Sequence, residues 1–147
     1  MPESNVALLK RWFEEVWNQR RRETVGELFA ADGISHGVDE IGGVIRGPDD
    51  FLSFYDRFCG AFPDLKLRVE ECFGSGDLAV LRWTARMTHT GDHLGIPASK
   101  KEIAIGGMTM AKIANGQIVE AWDNWDKLAL LQQVGVVPLA ASANSAG

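Results

Sequence analysis

The sequence predicts an α+β domain, and three observations carry that prediction. Apolar residues recur at helical spacing as far as Phe62. From Leu65 the period falls to two, the spacing of a strand. Asn115-Gly116 then marks a hairpin, and its second strand runs into a capped helix closed by Gly135. Helices, then strands, then one short helix give a curved antiparallel sheet with N-terminal helices covering its concave face.

Bulk properties narrow the function. The 147 residues read as a single domain over 1–136, followed by a flexible C-terminal tail of small residues over 137–147. A net charge of −5 argues against a nucleic-acid partner. No apolar run reaches the ~20 residues that span a bilayer, so no membrane partner is expected. The charged N-terminus does not read as a signal peptide, and Cys59 and Cys72 form no disulfide framework. A reducing cytoplasmic location is the simplest reading.

The elements follow in order. Ser4 or Asn5 caps a first helix whose stripe is Val6, Leu9, Phe13, Val16 and Trp17, and Arg20-Arg21-Arg22 ends it as a solvated cluster. Thr24 to Ala30 is a second helix, and Asp32 to His36 is a short extended piece. Pro48 opens a third helix, with Asp49 and Asp50 in its first turn. Its stripe of Phe51, Phe54, Tyr55, Phe58 and Phe62 is core first and ligand wall second. Leu65 to Cys72 alternates, Gly74 to Asp77 turns, and residues 78–90 form a long strand with Ala79, Leu81, Trp83, Ala85, Met87 and His89 on one face. Residues 101–114 make the next strand.

The final strand carries the chemistry. Strict alternation puts Val119, Ala121, Asp123 and Trp125 on one face and Ile118, Glu120, Trp122 and Asn124 on the other. An acid aligned with small and aromatic residues is what a pocket carboxylate looks like. Burial near rings raises such an acid's pKa and makes it a better base at neutral pH. A concave apolar site between sheet and helices would be walled by Phe13, Trp17, Phe54, Phe58, Trp83 and Trp125. Asp126 reads as a helix cap. His89 and His93 are four apart, but Gly91 between them and Gly95-Ile96-Pro97 after them argue against a helical metal pair, so no metal site is expected. Motifs for nucleophile elbows, phosphate loops and dinucleotide binding are absent.

Several motifs now coincide: Gly47-Pro48-Asp49-Asp50-Phe51, Ala61-Phe62-Pro63-Asp64-Leu65, Arg82-Trp83-Thr84, Thr88-His89-Thr90-Gly91, Leu94-Gly95-Ile96-Pro97, Asn115-Gly116-Gln117-Ile118-Val119-Glu120, Trp122-Asp123 and Leu130 to Gly135. In this order and spacing, over roughly residues 5 to 136, they resemble the SnoaL-like polyketide cyclase family, within the nuclear-transport-factor-like cone fold. The resemblance implies a cone-shaped α+β barrel, a deep apolar pocket, no cofactor, and a homodimer or higher homo-oligomer. Apolar Met108 and Met110 on the outer sheet face would suit that interface. It also implies intramolecular aldol closure of an apolar polyketide ester, with Asp123 as acid/base and His36 at a common pocket position; Ser35 replaces it if that piece faces the other way. His89 either lines the pocket or braces the Gly91 loop.

The chain departs from members that place a histidine opposite the aspartate. A two-residue turn at Asn115-Gly116 pairs Met108 with Asp123, and a three-residue loop with a glycine bulge pairs Thr109 with it. The family pattern favours Thr109. Two further readings stand beside cyclisation. One is a hydrolase, dehydratase or cofactor-free hydroxylase of a small cyclic substrate, which for epoxide hydrolysis would draw Arg82 into the pocket. The other is a non-catalytic ligand-binding module.

Overall fold

The structure, a computed structural model, describes residues 4–39 and 41–137. The expected tail lies, from residue 138 onward, outside the described residues. Helix α1 (Asn5–Trp12) continues as a π-helical segment (Phe13–Asn18), then come α2 (Glu23–Leu28), β1 (Phe29–His36), β2 (Val44–Arg46) and α3 (Gly47–Ala61). Strands β3 (Lys66–Ser75), β4 (Leu78–Thr88), β5 (Glu102–Ala114) and β6 (Gln117–Trp125) follow, and α4 (Lys127–Gln133) ends the fold.

Local chemistry sets the boundaries. Ser4 Oγ accepts the Ala7 N–H at 3.1 Å and starts α1. The π-helical segment keeps Phe13, Val16 and Trp17 buried, the face that their three- and four-residue spacing sets. Those residues meet α3 through edge-on rings: Trp12 and Phe51 lie 5.1 Å apart between centroids, and Trp17 and Phe58 lie 6.2 Å apart. Tyr55 donates its hydroxyl to the Val16 carbonyl at 2.8 Å, satisfying a buried polar group. Within the arginine run Arg21 and Arg22 are exposed as expected, Arg22 forking onto Asp56 at the surface, while half-buried Arg20 reaches Cys59 Sγ and the carbonyls of Pro63 and Leu65.

The sheet runs β2-β1-β6-β5-β4-β3. Consecutive hairpins make β3 to β6 antiparallel, as expected, but β1 lies parallel to β6, so the sheet is mixed. On β4, Ala79, Leu81, Trp83, Ala85 and Met87 are all buried toward the helices. Past the end of β6, the Gln133 side chain bonds both the N–H and the C=O of Ala104, standing in for the missing strand. Asp126 caps α4 by accepting the Ala129 N–H at 2.9 Å. No helix among the described residues is long and apolar enough to cross a membrane.

Candidate active site

The hairpin β5–β6 decides which side chains enter the interior. Asn115 and Gly116 both take positive φ, 54° and 74°, so the turn has two residues. Such a turn, continued regularly, would set Met108 against Asp123. The ladder instead pairs Ile113 with Ile118 and Lys112 with Glu120, leaving Val119 unmatched as a bulge. That extra residue brings Thr109 opposite Asp123. The Thr109 register therefore arises from a bulge within β6, not from a three-residue loop. It also corrects one face assignment: Ile118 turns inward and is buried, together with Ala121.

Around Asp123 the hydrogen bonds have a fixed direction. An indole N–H can only donate, so the Trp83 Nε1 contact to Thr109 Oγ1, at 3.3 Å, uses the hydroxyl as acceptor. Thr109 is then left to donate its own proton to Asp123 Oδ1, with which it is hydrogen-bonded. The two indoles pack over Gly107, where a β-carbon would sit 2.6 Å from both Trp83 and Trp125 atoms, so only glycine fits there.

Asp123 stands where two apolar lobes meet. The first lies among Phe13, Phe54, Phe58, Trp83, Met87 and Trp125. The second lies among Leu9, Trp12, Phe51, Ser35, Thr109 and Ala111. Both are narrow, with cavity volumes of about 50 and 30 Å³, partly open to solvent, and they share Trp17, Val38 and Asp123 as walls. Among the described residues Asp123 is the only ionisable side chain lining either lobe. Burial pushes its pKa up to about 6, against the Thr109 hydrogen bond and the Lys127 charge, which both favour the carboxylate. Lys127 itself lies 5.1 Å above the Trp125 ring. The arrangement is a base poised near neutrality in an apolar, partly open site, with one oxygen oriented by a hydroxyl. Among the described residues no cluster of three or more His, Cys, Asp or Glu is placed to hold a metal ion.

The structure brings together Asp123, Thr109 and the six aromatic walls named from sequence. Two expected residues lie elsewhere. His36 faces the outer side of the sheet, where Nε2 meets Glu120 at 2.7 Å and the ring stacks on Trp122. The parallel pairing of β1 with β6 turns Ser35 inward instead, opposite Ala121. His89 is fully buried but lies outside both lobes: β4 ends at Thr88, and the ring turns toward Phe62 and accepts the Ser99 N–H at 3.1 Å, bracing the loop after β4. Burial holds its pKa below the ordinary value. Arg82 also faces outward, paired with Glu71 at 2.7 Å, which removes the epoxide-hydrolase arrangement. Val38 and Lys127 were not among the expected residues. Val38 follows the end of β1, where no periodic pattern reaches it, and Lys127 sits in the first turn of α4, a position read only for helix capping.

Comparison with known proteins agrees with this geometry. The family model for SnoaL-like polyketide cyclase matches residues 7–134. A candidate SnoaL-like polyketide cyclase from Jannaschia sp. CCS1 superposes with a TM-score of 0.80 at 25% identity, covering 91% of this chain and 93% of that one. Wild-type IdmH, a candidate polyketide cyclase from Streptomyces antibioticus, gives 0.77 at 26% identity, covering 90% and 99%. AclR, a candidate hydroxylase from Streptomyces galilaeus, gives 0.81 at 22% identity, covering 97% and 91%, and shares the fold. No curated protein matches the sequence significantly.

Proposed function

This chain belongs to the SnoaL-like polyketide cyclase family, and on that premise we propose that it closes rings in an apolar polyketide-like ester by cofactor-independent aldol condensation, with Asp123 as acid and base. The observation that carries the reading is the placement of Asp123: among the described residues the sole ionisable wall of two apolar lobes, with its pKa raised to about 6. The carboxylate takes a proton from a carbon flanked by carbonyls, and the electron pair moves onto the carbonyl oxygen as an enolate. That enolate forms the new C–C bond at a ketone carbon of the same molecule. The resulting alkoxide takes back the proton from the Asp123 carboxylic acid, so the net reaction is an isomerisation. Thr109 holds one oxygen of Asp123 throughout and leaves the other for the substrate.

The first half of this reaction can be tested on an aromatic β-keto ester. Methyl benzoylacetate in D2O exchanges its central CH2 protons, which NMR follows directly. The protein is expected to accelerate exchange over buffer, and Asp123→Asn to abolish the acceleration with the fold intact. Equal exchange in both proteins would reduce the domain to a ligand-binding module.

The same reading includes a homodimer through the outer sheet face. Register places Val44, His36, Trp122, Met110, Val80 and Phe73 in one row across all six strands. Val44 is 48% exposed and Phe73 63%. A row this apolar, flanked by charged neighbours such as Arg82, Glu71 and Lys112, supports a second copy as its cover. Light scattering should then give a dimer mass for the wild type and a smaller mass for Phe73→Glu. A monomeric wild type would remove the proposal.

A further inference from the structure

The two lobes differ in what they offer a ligand, and Ser35 is the difference. Of the three indoles that line the first lobe, two have engaged donors, Trp83 Nε1 by Thr109 and Trp125 Nε1 by the Val38 carbonyl at 3.0 Å, and the third, Trp17, is a wall that both lobes share. Apart from Asp123 and Trp17, which both lobes share, the described residues of that lobe present only apolar side chains and engaged donors. The second lobe has a floor of small residues. Ser35 pairs with Ala121, Ala121 with Ala111, and Ala111 with Ala79, one row across four strands, and all four are buried. Ser35 is only 4% exposed and lines the lobe, yet its hydroxyl makes no hydrogen bond with any described residue. The one buried side-chain polar atom without a partner among the described residues is His89 Nε2, so the Ser35 oxygen, on a side chain that is itself buried, opens onto the lobe and is available to a ligand. Asp123 lies two residues beyond Ala121 on the same face, so Ser35 is its diagonal neighbour across the parallel strand pair. That gap suits a carbon acid and its adjacent carbonyl, one end at the carboxylate and the other at the hydroxyl.

We propose that Ser35 is a substrate-binding residue that donates to the carbonyl oxygen beside the reacting carbon, and that the ligand is a neutral, bipartite molecule. Its oxygen-free ring or chain fills the first lobe and its oxygen-bearing part the second, with the acidic C–H between them at Asp123. When the proton moves to Asp123, negative charge develops on the oxygen that Ser35 holds, so the same hydrogen bond strengthens as the enolate forms. This assignment rests on the acid/base reading of Asp123 and adds to it the orientation and polarity of the ligand.

The test compares methyl benzoylacetate with butylbenzene, its oxygen-free counterpart, by ligand-observed NMR titration of the wild type, Ser35→Ala and Asp123→Asn. Removing one hydroxyl should weaken the keto ester by about three- to tenfold and leave butylbenzene unchanged. Proton exchange of the keto ester should slow in Ser35→Ala in the same direction. Equal weakening of both probes, or no change in either, would overturn the assignment, as would failure of both probes to bind the wild type at millimolar concentration. The two readings fail separately. Unchanged exchange in Asp123→Asn sinks the acid/base role even where the Ser35 preference persists, and a lost Ser35 preference with exchange still dependent on Asp123 sinks only the present inference.

Discussion

Strand β6 carries two acids three residues apart, and the two faces of one strand give them different chemistry. Glu120 points outward, meets His36 at 2.7 Å and shares solvent with it, each side chain being 36% exposed. Asp123 points inward, accepts from Thr109, and lies between aromatic lobes that raise its pKa to about 6. Outside, water solvates the charge and a partner adds little. Inside, the missing water makes the charged form costly, and that cost is what turns a carboxylate into a competent base near pH 7. Residue type alone does not separate the two acids; the parity of the strand does.

Replacing the inner acid should break the contrast most sharply. Asp123→Asn is expected to reduce exchange of methyl benzoylacetate at pH 7.5 by at least about 100-fold, the scale of a lost general base. In the wild type, the exchange rate should rise with pH through about 6 and then level off as the carboxylate becomes fully ionised.

Stability should carry the same signature with its own sign. Asp123 has a folded pKa raised from 3.8 to about 6, so the native state binds the proton more tightly than the unfolded chain. Its contribution is present in full below the unfolded value and is lost as pH rises through about 6. The loss is at most about 3 kcal/mol. Urea unfolding of wild type and Asp123→Asn at pH 4.5 and 7.5 isolates it, because the other titrating groups cancel in the difference. A wild type with no greater decline than the variant would place Asp123 in a solvated setting like that of Glu120.

Thr109→Val sharpens the inner side. It keeps the shape and removes the donor to the carboxylate, so the Asp123 midpoint should move upward by about one unit. A downward move would mean that the hydroxyl does not favour the charged form. On the outer face the smallest effect is expected. His36→Ala should change stability by less than about 1 kcal/mol and leave exchange unaltered. A large loss of exchange there would shift the proton chemistry to the outer face.

Much of this was legible in the residues, for reasons that can be named. The change of period after Phe62, the Asn115-Gly116 turn and the cap at Asp126 are local signals, and the elements follow them. Asp123 and its aromatic walls could be read because alternation holds from Ala121 to Trp125. The Val119 bulge is less visible: nothing in Ile118-Val119-Glu120 marks an unmatched residue, and strict alternation puts Ile118 on the outer face, where the structure turns it inward. The inward residue of β1 was undecidable for a related reason. That strand is short and lies parallel to a partner more than eighty positions away in sequence, and this tertiary pairing selects Ser35 over His36. His89 follows the face of Trp83 and Met87 in sequence, but β4 stops one residue earlier and the ring leaves the lobe. The π-helical turn that carries Trp17 to the junction of the two lobes has no sequence signature at all.

The most direct measurement is a titration of the Asp123 side-chain carboxyl by carbon-detected NMR, assigned by its loss in Asp123→Asn. A midpoint near 6 is expected from its burial between the lobes. A midpoint near 3.8, the value of an unperturbed aspartate, would contradict the claim that this strand holds a base poised for proton transfer.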